Sequence, residues 1–164
     1  MKRILQLAVA LLLLGVLSTA NSAQPGKISK VLPHWLDLQG RHTLSPSLLE
    51  RDAYQAKLRA DRSLCSGIRF EVKWAKNTSG NVKLQLELRI TDQAKPIVLE
   101  QAIKPSRRGG WNAITLDSDA FRAIGKIIAW RVRLLDGDIK LAERRSFLWT
   151  ESKPAGDAEK PAAD

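Results

Sequence analysis

Apolar and polar positions alternate most regularly between residues 68 and 90. Ile68, Phe70, Val72 and Trp74 alternate with Arg69, Glu71 and Lys73. After a turn at 77–81 containing Gly80, Val82, Leu84, Leu86, Leu88 and Ile90 alternate with Lys83, Gln85, Glu87 and Arg89. Period two with one apolar and one charged face predicts two half-buried strands, with Leu86 on the dry face and Glu87 on the wet one. The same period returns over 126–149, where Ile128, Trp130, Val132 and Leu134 alternate with Ala129, Arg131, Arg133 and Leu135. Asp136, Gly137 and Asp138 supply turn chemistry, and 139–149 reads as the returning strand of a hairpin. Weaker strands are expected at 34–42, 97–104 and 113–117, a loop at 105–112, and a single helical turn at 118–125.

The period changes over 44–61. Ser45 or Ser47 suits a helix cap, Pro46 a first-turn position, and Ser47 with Glu50 has capping-box spacing. Leu49, Ala53, Ala56 and Ala60 form a narrow stripe expected to lie on the sheet, leaving Glu50, Arg51, Asp52, Lys57, Arg59 and Asp61 in water. Regularly spaced turn signals between alternating strands favour an all-β sandwich or barrel. The strand rhythm from Trp35 to Trp149 resembles that of an immunoglobulin-like or fibronectin type III-like β-sandwich, here with one helix inserted between the first and second strands. The Cys-Trp-Cys framework of true immunoglobulin domains is absent, because Cys65 is the one cysteine. Such a resemblance implies a scaffold and leaves the activity open.

Outside this region the chain changes character. Lys2 and Arg3, an apolar run from Ile4 to Leu17 broken by Gln6, and the small residues Ser18, Thr19, Ala20, Asn21, Ser22 and Ala23 follow the three-part order of a secretory signal over 1–23. The run is shorter than the ~20 residues of a membrane span. Residues 24–33, bounded by Pro25, Gly26 and Pro33, read as a linker or an edge segment, 34–149 as the sandwich domain, and 150–164 as a disordered polar tail. The expected location is exported, periplasmic or extracellular, with no membrane span once the signal is removed.

The formal charge of +10 resides in the domain, since the basic Lys2 and Arg3 of the leader are offset by a tail whose acids outnumber its lysines. That surplus favours acidic partners, nucleic acid, anionic lipid or acidic polysaccharide, or simply a well-solvated surface. Catalytic signatures are missing: no G-x-S-x-G, H-E-x-x-H or P-loop spacing occurs. Cys65 reads as a buried, inert thiol. His34, Asp37 and His42 could hold zinc only if the segment folded back, because a straight strand rises ~3.3 Å per residue. Asn77-Thr78-Ser79 matches a glycosylation sequon inside a turn.

Trp111 stands apart from the other tryptophans, following Arg107, Arg108, Gly109 and Gly110. An aromatic beside two guanidinium groups can stack on a sugar ring or base while the arginines meet phosphate or carboxylate, or it can fold back over the sandwich end. Arg107, Arg108 and Trp111 are therefore the candidate ligand-binding residues, with no catalytic or metal residue and no cofactor implied. The chain reads as a non-enzymatic binding module whose partner is an anionic polymer or another envelope protein. The alternatives are an assembly role through an exposed strand edge, or a hydrolase or metal enzyme using His34, His42 or Cys65. Mass spectrometry of the exported chain is expected to find a new N-terminus between Asn21 and Gln24; full-length chain recovered from a membrane fraction would refute the signal.

Overall fold

The computed structural model describes residues 25–150 apart from 78, 79, 105 and 107. The stretch expected to be a secretory signal, nearly all of the tail, and two of the three sequon positions lie outside the described residues. In chain order the elements are β1 (Gly26–Asp37), α1 (Leu48–Ala60), β2 (Cys65–Lys76), β3 (Val82–Ile90), β4 (Ile97–Ala102), β5 (Gly110–Asp117), α2 (Ser118–Ala123), β6 (Ile127–Asp136) and β7 (Ile139–Arg145). The strands form two antiparallel sheets, ordered β1-β2-β5 and β4-β3-β6-β7. The molecule is a mostly-β, two-layer structure of sandwich type with α1 between its first two strands.

Strict alternation in β2 and β3 sends Phe70, Val72, Leu84, Leu86 and Leu88 into the space between the sheets, where none is exposed. Val132 and Leu134 of β6 and Ile114 and Leu116 of β5 complete that layer. The ring of Phe70 meets that of Trp130 edge-on at 6.2 Å, an aromatic contact that ties one sheet to the other. Gly137, at φ 58°, supplies the left-handed residue that the tight β6–β7 hairpin needs.

Several expectations are corrected. Residues 26–33 belong to β1, so of the two readings offered for 24–33 the edge segment is the one that fits, and the linker is not. Pro33 is accommodated because β1 is the outer strand of its sheet, where a missing N–H costs no ladder bond. The strand expected over 34–42 ends at Asp37, where Asp37 N–H bonds Arg41 O (2.9 Å) and Gly40 N–H bonds Asp37 O (2.8 Å), reversing the chain. The returning strand expected over 139–149 stops at Arg145. Strand β5 starts at Gly110, earlier than expected, so Trp111 sits in a strand and not in a loop.

Ser47 is the N-cap of α1, its hydroxyl accepting from Glu50 N–H at 3.5 Å. The expected Leu49-Ala53-Ala56-Ala60 stripe nevertheless faces water, with Leu49 81% exposed. The buried side is Gln55 and Leu58, with Tyr54 half-buried. Gln55 explains this: its Oε1 accepts from Trp35 N–H (2.8 Å), and its Nε2 donates to Trp35 O (2.9 Å) and His42 O (2.7 Å). A polar side chain thereby covers the open margin of an edge strand, an attachment that counting apolar residues does not detect.

The outer face of the four-stranded sheet is also drier than its charges suggest. Glu87 is 3% exposed and paired with Arg131 (2.7 Å) and Arg133. Trp149 closes over this face, its ring 4.8 Å from the guanidinium of Arg89 and 4.6 Å from that of Arg131. Glu87 is therefore a buried, paired acid and not the wet residue its place in the alternation implied. In urea unfolding, Leu86→Asp is expected to cost more than about 4 kcal/mol, by forcing a charge into the apolar layer. Glu87→Ala is expected to cost about 3 kcal/mol, because it removes the buried carboxylate that Arg131 and Arg133 share; a loss below about 0.5 kcal/mol, typical of an exposed site, would contradict this burial.

Candidate functional site

The outward residues of β1, β2 and β5 form three cross-strand rows on one sheet face. Register places Lys30, Lys73 and Trp111 in the first row, Leu32, Glu71 and Ala113 in the second, and His34, Arg69 and Thr115 in the third. Directly opposed residues on one face stand ~4.5–5.5 Å apart at Cβ, so each row works as a contiguous strip.

Trp111 is 49% exposed, and Lys73 Nζ lies 5.8 Å from its ring centroid. It does not fold back over the sandwich end, because its neighbours hold the strand in register. Asn112 turns inward, its Oδ1 accepting from Trp74 Nε1 at 2.8 Å. Gly109, at φ 105°, packs against the backbone of Trp74 so closely that a Cβ would lie 2.2 Å from the Trp74 carbonyl oxygen. Only glycine fits there, and Ser106 Oγ fixes the turn by donating to Gly109 O (2.9 Å). Inward Asn112 thereby leaves outward Trp111 as a fixed platform beside Ala113, whose small side chain opens a shallow hollow walled by Glu71. Arg108, three residues before Trp111 in the chain, is exposed, while Arg107 lies outside the described residues. The candidates Arg108 and Trp111 are thus joined by Lys73 and Lys30, which sequence reasoning missed because they sit on strands far away in the chain.

The third row brings together residues expected to stay apart. Reversal at Asp37–Arg41 returns His42 to His34, with ring centroids 4.8 Å apart. Arg69 Nη2 donates to His42 Nδ1 (3.0 Å) and pairs with Glu71 (2.9 Å), which lies 3.6 Å from His34 Nε2. Burial lowers the His34 pKa; Glu71 opposes that, and His42, Arg69 and Arg51 reinforce it. A ring so held is a neutral imidazole at neutral pH.

Asp37 joins neither histidine. Its buried carboxylate accepts from Tyr54 Oη (2.7 Å), Arg41 Nε (2.8 Å), Arg41 N–H (2.8 Å) and Gln39 N–H (2.9 Å). Among the described residues no group of three or more His, Cys, Asp or Glu is placed to hold a metal. Cys65 is buried, its thiol donating to Leu58 O at 3.2 Å, and burial raises its pKa, which keeps it protonated and a poor nucleophile.

Burial alone would raise the Asp37 pKa, but the Tyr54 hydroxyl and the Arg41 and Gln39 donors hold it at about 2, below its ordinary 3.8. A carboxylate depressed in the folded state adds stability that is complete above pH 3.8 and is lost as pH falls towards about 2. Asp37→Asn is expected to remove that acid-limb dependence and to lower stability at pH 7 by about 2 kcal/mol, read from urea melts across pH. An unchanged acid limb would show that Asp37 is not the titrating group.

Comparison with known proteins found no matching family model, no matching curated protein and no matching solved structure.

Proposed function

We propose that this chain is an exported, non-enzymatic binding module of the fibronectin type III-like kind, and that the outer face of its three-stranded sheet binds an anionic polymer. The observation that carries the reading is the half-exposed Trp111 in one row with Lys73 and Lys30, with the exposed Arg108 three residues before it in the chain. A rigid aromatic surface offers stacking to a sugar ring or base, and cations on the same strip meet its phosphate, sulfate or carboxylate groups. A chain charge of +10 adds long-range attraction to such a ligand. The fold assignment is supported by strand order: β4 pairs with β3, whereas in the constant immunoglobulin arrangement the fourth strand joins the sheet of the first two. Export is supported by the leader sequence alone.

Stacking and charge separate experimentally. Changing Arg107 and Arg108 together to Ala, or Lys73 to Ala, is expected to weaken binding most at low salt, since attraction is screened over ~10 Å at 0.1 M. Trp111→Ala is expected to weaken binding at low and high salt alike, by about 1–3 kcal/mol. Titration of the exported chain and these variants against heparin-like polysaccharide, single-stranded nucleic acid and anionic vesicles tests the reading. No binding to any of the three, or loss of folding in Trp111→Ala without selective loss of binding, would overturn it.

A further inference from the structure

Strand β7 reaches its last partner at Arg145, opposite Arg131, while β6 runs on through residues 127–130. Trp130 is carried one step further, its carbonyl accepting from Ser146 N–H (2.9 Å) and its N–H donating to Ser146 Oγ (3.0 Å). The chain then turns, with Trp149 N–H on Ser146 O at 3.1 Å, and leaves the line of the strand.

Along the side of the sandwich β1 and β7 run in the same direction. Gly26 lies against Leu141, and the Ser29 carbonyl, at the bulge in β1, accepts from the Arg144 guanidinium. Beyond that contact the second half of β1 faces the first residues of β6 across a groove of about 380 Å³. Trp35 and Trp130 line its apolar wall over the buried Phe70, and Phe147 (100% exposed), Leu148 (66%) and Ile128 (47%) stand at its rim. Ile128 is there because of a bulge: Ile90 pairs with Ile127 and Arg89 with Ala129, leaving Ile128 as the extra residue. Bulges of this kind re-aim a side chain and end regular pairing. The groove carries one charged lining residue, Arg59, exposed in the last turn of α1 and making no hydrogen bond or ion pair among the described residues.

We propose that this groove docks an extended segment of a partner protein, seating bulky apolar side chains against Trp35 and Trp130 and setting a carboxylate on Arg59. Charge selects the occupant. The wall offers apolar surface and one arginine, so an acidic, apolar segment is complementary, whereas a second copy of a chain carrying +10 brings like charges together. Its size sits near the lower end of the ~300–1,000 Å³ typical of ligand sites, room for a few side chains and not for a folded surface. The part of β6 beyond its pairing with β7 gives such a segment a strand to lie beside, the geometry of strand addition. This groove is separate from the Trp111 face, so either site can fail without the other.

Panning a display library of random dodecapeptides against the full exported chain is expected to enrich alternating apolar residues with Asp or Glu. A synthetic copy of the enriched peptide, titrated by calorimetry, is expected to bind Ile128→Asp and Arg59→Glu about tenfold more weakly, or worse. Val98→Asp, at an equally exposed apolar position on β4, is expected to leave affinity unchanged. Should Ile128→Asp fail to fold, Arg59→Glu on the helix surface carries the test. Failure to enrich, enrichment of basic peptides, or undiminished binding by Arg59→Glu would overturn the proposal. So would peptide displacement by decanoate at low concentration, which points to a lipid acid, or sedimentation as a dimer that Ile128→Asp dissolves, which points to a second copy.

Discussion

The apolar layer between the two sheets is the constraint on which the rest of this structure depends. The chain has a single cysteine, so no internal disulfide shares the load, and cohesion comes from side chains such as Phe70, Val72, Leu84, Leu86 and Val132 that leave water completely. Each fully buried apolar side chain contributes on the order of 1.5–3 kcal/mol, set against the entropy of fixing the chain. Because side chains alternate strictly, packing Phe70 and Val72 inward obliges Arg69, Glu71 and Lys73 outward. The charged strip beside Trp111 is thus the reverse side of the core.

The margins of the layers are closed by polar groups. Gln55 satisfies the outward backbone of Trp35, Arg144 reaches the Ser29 carbonyl across the gap between sheets, and Arg62 donates to the carbonyls of Phe121 and Gly125 while lying 4.3 Å over the Phe121 ring. On the outer face of the larger sheet, Glu87 sits among Arg131, Arg133 and Trp149. Such a cluster gains little over a well-packed apolar substitute, but it is costly to break one member at a time. Its geometric effect is to hold the last described turn of the chain flat against the sheet.

The strands were legible wherever periodicity alone decides the structure. β2 and β3 appear where alternation is cleanest, and Ser47 marks the start of α1 through cap chemistry that is local in sequence. What escaped was decided by contacts between distant residues. The buried face of α1 depends on Gln55 reaching β1, twenty residues away, so the alanine stripe misled. Glu87 looks wet on its own strand and becomes dry only when Arg131, Arg133 and Trp149 arrive. His34 and His42 meet because the chain reverses at Asp37, a turn whose signal, Gly40 at φ 75°, was present in a stretch read as strand. Of the candidate site, Trp111 and Arg108 were visible in the sequence, whereas Lys73 and Lys30 could be added only once register was known.

The parallel course of β1 and β7 has a mechanical consequence. The described chain begins at the Gly26–Leu141 end of the sandwich and finishes past the far end of β7, near Trp130. A tether pulling at these two points draws along the strands, so the β1–β2 and β6–β7 ladders are loaded in shear, with their hydrogen bonds sharing the force together. Had both attachment points lain at one end, the same pull would peel a strand away bond by bond. A domain strung this way resists stretching at forces that would unzip a hairpin of equal stability.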